Sequence, residues 1–252
     1  SISINMTISI SNLKKTYSTF SGKKMAPAID GLNLNVGEGE SFGFLGPNGA
    51  GKSTVIKILM DFIRCDSGEV TIGGETVTNP SARKNVGYLP EQPLFYDHLT
   101  AVEVLRFGGK VAGIPKDELE TRIKDLLERL KLSHAKDKPI RTYSKGMTQR
   151  TGLALAMVHD PAICILDEPM SGLDPMGRKL VTDFIIDMRK EGKTVFFSSH
   201  ILSDVERLCD RVGILNRGNL LFCGSIDGLT KDGKSIEDTF VNMIETDNRF
   251  EK

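Results

Sequence analysis

The segment Gly46-Pro47-Asn48-Gly49-Ala50-Gly51-Lys52-Ser53 restricts this chain to few architectures. It fits G-x-x-x-x-G-K-[ST], where glycines let successive backbone N–H groups converge on phosphate oxygens without side-chain clash. Ser41 to Leu45 reads as a strand entering the loop, and Thr54 to Ile63 as a helix leaving it. The positive end of that helix would favour an anion. In such a cradle Lys52 is expected to reach the β- and γ-phosphates, and the Ser53 hydroxyl to coordinate Mg²⁺. Gly46, Asn48, Gly49, Ala50, Gly51 and Thr54 complete it. A chance glycine-rich turn would lack the flanking strand and helix, so a nucleoside-triphosphate site is expected.

A second constellation follows at Ala162-Ile163-Cys164-Ile165-Leu166-Asp167-Glu168. Here a buried strand delivers two successive carboxylates at its end. Asp167 is expected to hold Mg²⁺ through its water shell. Glu168 would orient or deprotonate an attacking water. The rival reading is an ordinary strand ending in solvated acids, and the phosphate loop upstream weakens it.

The rest of the pattern is an α/β chain. Ile8 and Ile10, then Leu32, Leu34 and Val36, then Phe42 and Phe44 alternate with polar residues as short strands do. Ser1 to Ser11 reads as a strand, with no basic region and apolar core of a signal peptide. Val70 and Ile72, Gly73-Gly74 and Val77 read as a hairpin. Thr100 with Glu103 fits a capping box, and Leu119, Ile123, Leu126, Leu127 and Leu130 fall at helical spacing. The opposite face is a solvated one, with Arg122/Glu118 and Lys124/Glu128 as weak pairs. Apolar runs at Ile163 to Leu166 and Thr194 to Phe197 then alternate with helical stretches at 175–191 and 201–209, as in a parallel sheet flanked by helices. Val212 to Leu215 and Leu220 to Cys223 form a closing strand pair around Asn216-Arg217-Gly218, before a polar, helical tail.

Composition narrows the function classes. A chain of 252 residues is one large domain or two small ones. Its 33 basic residues balance 33 acidic ones, which speaks against a dedicated nucleic-acid binder. Cys65, Cys164, Cys209 and Cys223 form no CxxC pair, so buried thiols in a reducing compartment are expected rather than zinc or disulfides. The longest apolar run, Leu153 to Val158, is far short of the ~18 residues that cross a bilayer, which points to a chain in or facing the cytosol. His98, His134 and His159 read as solvated or capping residues.

Further segments carry a resemblance. Tyr143-Ser144-Lys145-Gly146-Met147-Thr148-Gln149-Arg150 resembles the signature segment, usually LSGGQ, of the ATP-binding-cassette (ABC) ATPases. Ser171-Gly172-Leu173-Asp174 resembles their D-loop, and Ser198-Ser199-His200 their switch histidine. The resemblance implies a P-loop NTPase fold with a RecA-like core of mostly parallel sheet, an antiparallel β subdomain and an α-helical insert. It places one nucleotide-binding domain at 6–224, with core at about 6–94 and 151–224, helical signature subdomain at about 95–150, and a short tail at 225–252. Such domains pair head to tail with two ATPs between them. Ser144 and Gly146, with Gln149 in the same segment, would then meet the γ-phosphate of the facing domain. Asp174 would couple the two sites, His200 would contact the γ-phosphate and hold water with Glu168, and Tyr17 would stack on adenine.

Two departures stand out. Lys145 replaces a usual glycine of the signature. In Gly87-Tyr88-Leu89-Pro90-Glu91-Gln92, Glu91 stands where the family's Q-loop places glutamine, so either Glu91 as a metal ligand or Gln92 after a one-residue shift fills that role. A glutamate there occurs in some export-type members. Pro93-Leu94-Phe95-Tyr96 is either core or, by resemblance, the groove that receives a transmembrane partner. The leading expectation is the ATPase subunit of a membrane transporter, bound to separate transmembrane permease subunits and a second cassette at the cytoplasmic face of the membrane, with ATP and Mg²⁺ as cofactors. A soluble ABC ATPase uncoupled from transport, or a module that binds ATP without hydrolysis, is the alternative. The chain as given carries no spanning helices of its own.

Overall fold

The computed structural model describes residues 6–19, 22, 24–229 and 235–247. The strand expected over Ile2 and Ile4, and the tail at 230–234 and 248–252, lie outside them. In chain order the elements are β1 (Met6–Ser18), β2 (Lys24–Gly37), β3 (Ser41–Leu45), α1 (Lys52–Leu59), β4 (Ser67–Ile72), β5 (Glu75–Thr76) and β6 (Val86–Leu89). Then come α2 (Ala101–Val111), α3 (Lys116–Arg129), α4 (Lys145–Met157), β7 (Ile163–Leu166), α5 (Pro175–Lys190) and β8 (Thr194–Ser199). The chain ends with α6 (Leu202–Leu208), β9 (Arg211–Asn216), β10 (Asn219–Ser225), α7 (Ile226–Leu229) and α8 (Ile236–Glu245). Two compact units divide it: residues up to Lys84 with those from Phe196 on, and Asn85–Val195. The chain passes from the second unit into the first inside β8.

In the first unit, β2-β1-β4-β5 is an antiparallel sheet. Ile8, Ile10 and Leu13 lie opposite Val36, Leu34 and Leu32, all buried. A slip by one residue would turn that apolar set outward, which is what fixes the register. The Gly73-Gly74 hairpin forms as expected, and Val77 donates to the Val70 carbonyl at 3.0 Å beyond it. Strand β3 is buried throughout and pairs parallel with β9, which pairs antiparallel with β10. The Phe196 ring stacks on Phe42 at 5.8 Å and tilts against Phe44 at 5.5 Å. Each such burial contributes about 1.5–3 kcal/mol, so the strand that feeds the phosphate loop is firmly held. The helix after the loop stops earlier than its apolar pattern suggests. Asp61 is left-handed at φ +57, and Phe62 N–H reaches back to the Lys57 carbonyl at 2.8 Å. That is a helix stop which glycine usually provides.

In the second unit, β6 and β7 pair parallel from Val86↔Ile163 to Leu89↔Leu166. The capping box at the start of α2 is present in both directions: Thr100 N–H donates to Glu103 at 2.8 Å, and Glu103 N–H to Thr100 Oγ1 at 3.2 Å. Arg106 grips Glu120 of α3 through two hydrogen bonds of 2.6 and 2.8 Å. On α3 the pair Arg122–Glu118 forms at 2.6 Å. Lys124 and Glu128 form no ion pair among the described residues, where Arg129–Asp125 at 3.8 Å and Arg129–Glu191 at 3.2 Å are found instead. Helix α4 runs through residue 150, so the helical insert drawn from the pattern ends inside an element.

Two of the four thiols depart from the expected burial. Cys164 and Cys209 are buried, whereas Cys65 is half-buried and Cys223 exposed. Both lie near the surface because their segments, the approach to β4 and the outer strand β10, are largely solvent-facing. Burial pushes the Cys164 thiol up to about 12.

Candidate functional site

The two halves of the site chemistry lie in different units, and each has its own geometry. In the first unit, β3 ends at Leu45 and the chain turns through 46–51 into α1. Gly46 and Gly51 admit no side chain. A Cβ on Gly46 would come within 2.3 Å of the Leu215 carbonyl. At Gly51 the backbone has φ +112, and a Cβ would come within 2.6 Å of the Ala28 carbonyl. Lys52 is buried, and its ammonium donates to the Gly46 carbonyl at 2.6 Å and the Pro47 carbonyl at 3.3 Å. The charge is therefore curled into the loop, where it suits an anion. Asn48 and Gly49 are exposed at the loop tip, Ala50 is buried, and Ser53 and Thr54 are half-buried in the first turn of α1. Tyr17 lies beside this turn, its hydroxyl 3.4 Å from Thr54 Oγ1, and the residue is 38% exposed. Lys15 Nζ stands 5.7 Å from that ring. An exposed π-face next to a phosphate cradle fits a purine. His200 is exposed directly after β8, where Ser199 Oγ accepts from Ile201 N–H at 3.0 Å and fixes the exit of the strand.

In the second unit, β7 delivers Asp167, whose N–H donates to the Leu89 carbonyl at 2.8 Å and extends the pairing with β6. Asp167 and Glu168 are buried, at 5% and 8% exposure. Glu168 has φ +48, a left-handed backbone that costs a non-glycine residue about 1–2 kcal/mol. Ser171 N–H donates to its carbonyl at 2.9 Å, which holds the turn. Beside them Tyr88 is pushed up to about 12 by burial and by the Asp167 charge, so it stays a neutral phenol. No local pattern marks it; its signal in the sequence is its place three residues before Glu91. Ser144 caps α4 by accepting from Met147 N–H at 3.2 Å, so its hydroxyl and the Gly146 backbone sit at the helix's positive end. Asp174 caps α5 in the same way, accepting from Gly177 N–H at 2.9 Å.

The protein-family model described as "ABC transporter" matches residues 29–171 of the chain. That span holds the phosphate loop, the signature segment and both strand-end carboxylates. The chain belongs to the ABC transporter family. An uncharacterised ABC transporter ATP-binding protein of Synechocystis is 46% identical to this cassette over 85% of its length, and the match covers 61% of that relative. The linearmycin resistance ATP-binding protein LnrL of Bacillus subtilis is 39% identical over 85% of this cassette and 68% of its own length. A solved ATP-binding subunit of an ABC transporter superposes with a TM-score of 0.83 at 28% identity, covering 94% of this cassette and 98% of that chain. The chain thus spans about three fifths of the length of the first of these relatives. The α/β architecture with a parallel and an antiparallel sheet is that of the P-loop NTPases.

Within this ABC cassette two expectations need correction. Gln149 is 2% exposed and lies 3.5 Å from the Pro169 carbonyl, to which its amide donates. It ties α4 to the turn after Glu168 and is turned away from solvent. Counting from Tyr143, the fifth place of an LSGGQ-like segment falls on Met147, which helical geometry puts on another face. Arg150, the last residue of that segment, donates to the Gly146 carbonyl at 3.2 Å and the Leu130 carbonyl at 2.7 Å, and so anchors the start of α4. His159 is neither solvated nor a cap: it is half-buried, with Nε2 3.2 Å from the Val86 carbonyl, and burial lowers its pKa. Lys145 lies along Gly172, where its Cε would come within 2.4 Å of any added Cβ. Glu91 and Gln92 are both exposed. No cluster of three or more His, Cys, Asp or Glu forms a metal cage among the described residues. A magnesium ion bound largely by phosphates and water needs none.

Proposed function

We propose that this chain is the ATP-hydrolysing subunit of a membrane transporter, acting as one of two cassettes that close head to tail on ATP. The observation that carries this reading is the buried Lys52 curled into a glycine loop at the start of α1, within a chain of the ABC transporter family. Lys52 and the loop N–H groups bind the β- and γ-phosphates. Ser53 and Asp167 are the groups that would hold magnesium, which offsets phosphate charge when bound. Glu168 orients the attacking water and takes its proton, and His200 steadies that water near the γ-phosphate. Tyr17 stacks on the adenine. Ser144 and Gly146, with Asp174, form the face offered to the second cassette's nucleotide. The domain limits of 6–224, with a helical part at about 95–150, belong to this same reading.

No helix among the described residues is long and apolar enough to cross a membrane. Transmembrane permease subunits are the partners this function needs, and the cytoplasmic face of the membrane is where they meet. Leu94 and Tyr96 are 91% and 75% exposed, whereas Phe95 is half-buried. Exposed side chains of this size support a docking role for the segment. Changing Leu94 and Tyr96 to aspartate is expected to release the membrane partner in pull-downs from detergent-solubilised membranes while basal ATPase is retained. Undiminished co-purification would refute the docking assignment.

Glu91 is the better candidate than Gln92 for the metal side of the site, because a carboxylate is the harder ligand. Glu91→Ala is expected to raise the Mg²⁺ concentration for half-maximal ATPase about tenfold, and Gln92→Ala to leave it unchanged. The opposite result would move the role to Gln92. Glu91 and the resistance protein among the relatives favour export as the direction.

A further inference from the structure

The back of the phosphate loop rests on the turn between β9 and β10, and that turn is held by the C-terminal segment. Arg217 and Gly218, at φ +44 and +80, make the tight turn. Gly218 N–H donates to the Ala50 carbonyl at 2.9 Å, and the Gly218 carbonyl accepts from Asp30 N–H at 2.9 Å. One residue therefore joins the loop to β2. Leu215, at the other end of the turn, places its carbonyl against Gly46. The loop is thus braced at both its first and its fifth residue by Leu215–Gly218.

Asn216 stands inside this brace. Its side chain is 5% exposed, and its amide donates to the Asp247 carboxylate at 3.1 Å. Asp247 lies two residues beyond α8. That helix is capped by Ser235, which accepts from Asp238 N–H at 3.0 Å, and is tied to α7 where Thr239 Oγ1 donates to the Leu229 carbonyl at 3.2 Å. Its buried Ile236 faces inward, and α8 packs on α6, the helix that follows His200. Residues 235–247 are therefore a built part of the first unit, with a part-buried polar bond to the residue that starts the turn.

We propose that Asn216 and Asp247 are positioning residues for ATP, through which the placement of α8 sets the backbone of the phosphate loop. The carboxylate fixes the buried amide, the amide fixes the turn, and the turn fixes the Ala50 carbonyl and the approach of Leu215 to Gly46. Neither residue touches the nucleotide. Anything that lifts α8 would loosen the loop, so the tail is a point from which nucleotide affinity can be adjusted. The inference rests on the reading of Gly46–Ser53 as the ATP site.

The test uses the full chain, with a fluorescent ATP analogue for Kd, steady-state kinetics for KM and kcat, and thermal unfolding in parallel. Asp247→Ala is expected to raise Kd and KM for ATP about 3- to 10-fold, as loss of one part-buried hydrogen bond implies, with kcat unchanged. Asn216→Asp sets two carboxylates face to face and should weaken binding at least as much. Adding Asp247→Asn to it restores an amide–carboxylate bond with the roles exchanged, and is expected to recover Kd. A lowered melting temperature in Asp247→Ala with unchanged Kd would assign the pair to stability alone and overturn the inference. So would a folded reversed pair that fails to recover Kd. Absence of ATP binding by the unaltered chain would instead remove the reading of the loop on which the inference rests.

Discussion

Glu168→Gln is expected to lower kcat for ATP hydrolysis by about 10²–10⁴-fold, the range of a lost general base. The glutamine keeps the size of the side chain and a hydrogen-bonding oxygen, yet cannot accept the proton of an attacking water. The backbone at φ +48 is no harder for glutamine than for glutamate, so the fold should hold. Binding groups are untouched, and a cassette that binds ATP without consuming it should accumulate as an ATP-bound dimer on size-exclusion chromatography. Turnover at the unaltered rate would remove Glu168 from the base role. A slow enzyme that never dimerises would separate the catalytic reading from the head-to-tail one.

Gly51→Ala is expected to abolish measurable ATP binding and lower the melting temperature by several degrees. The φ of +112 is nearly closed to L side chains, and strain of this kind costs about 1–3 kcal/mol. An added methyl would also meet the Ala28 carbonyl at 2.6 Å and Ile29 Cδ1 at 2.7 Å. Relief requires the loop to move away from β2, and that movement carries Lys52, the next residue, out of its place over Gly46 and Pro47. Calorimetric titration with ATP and a melting curve measure both effects. Unchanged affinity would mean that the loop tolerates displacement and that its geometry is not what binds phosphate.

The strand, glycine loop and helix around Lys52 were legible because each is a local pattern of adjacent residues. So was the Thr100–Glu103 capping box, whose partners are three residues apart. The end of α1 was not, because Asp61 takes a left-handed conformation that glycine usually signals. Gln149 was misplaced because a motif read as a line does not say which face of a helix each residue takes; α4 turns it to Pro169. His159 and Tyr88 owe their environments to the β6 and β7 region, built from segments some seventy positions apart in sequence, and no spacing rule reaches that far. The turn behind the loop was legible as a turn at Asn216-Arg217-Gly218. Its bond to Ala50 was not, for it depends on how β9 and β3 pair.

Gly172 holds its place by its backbone before any neighbour is counted. At φ +70 an L side chain is strained whatever stands at 145, whereas the Cε of Lys145, the far end of a flexible chain, can swing aside from an added methyl. Glycine at 172 should therefore be the stricter of the two requirements, and shortening Lys145 should not make a side chain at 172 acceptable.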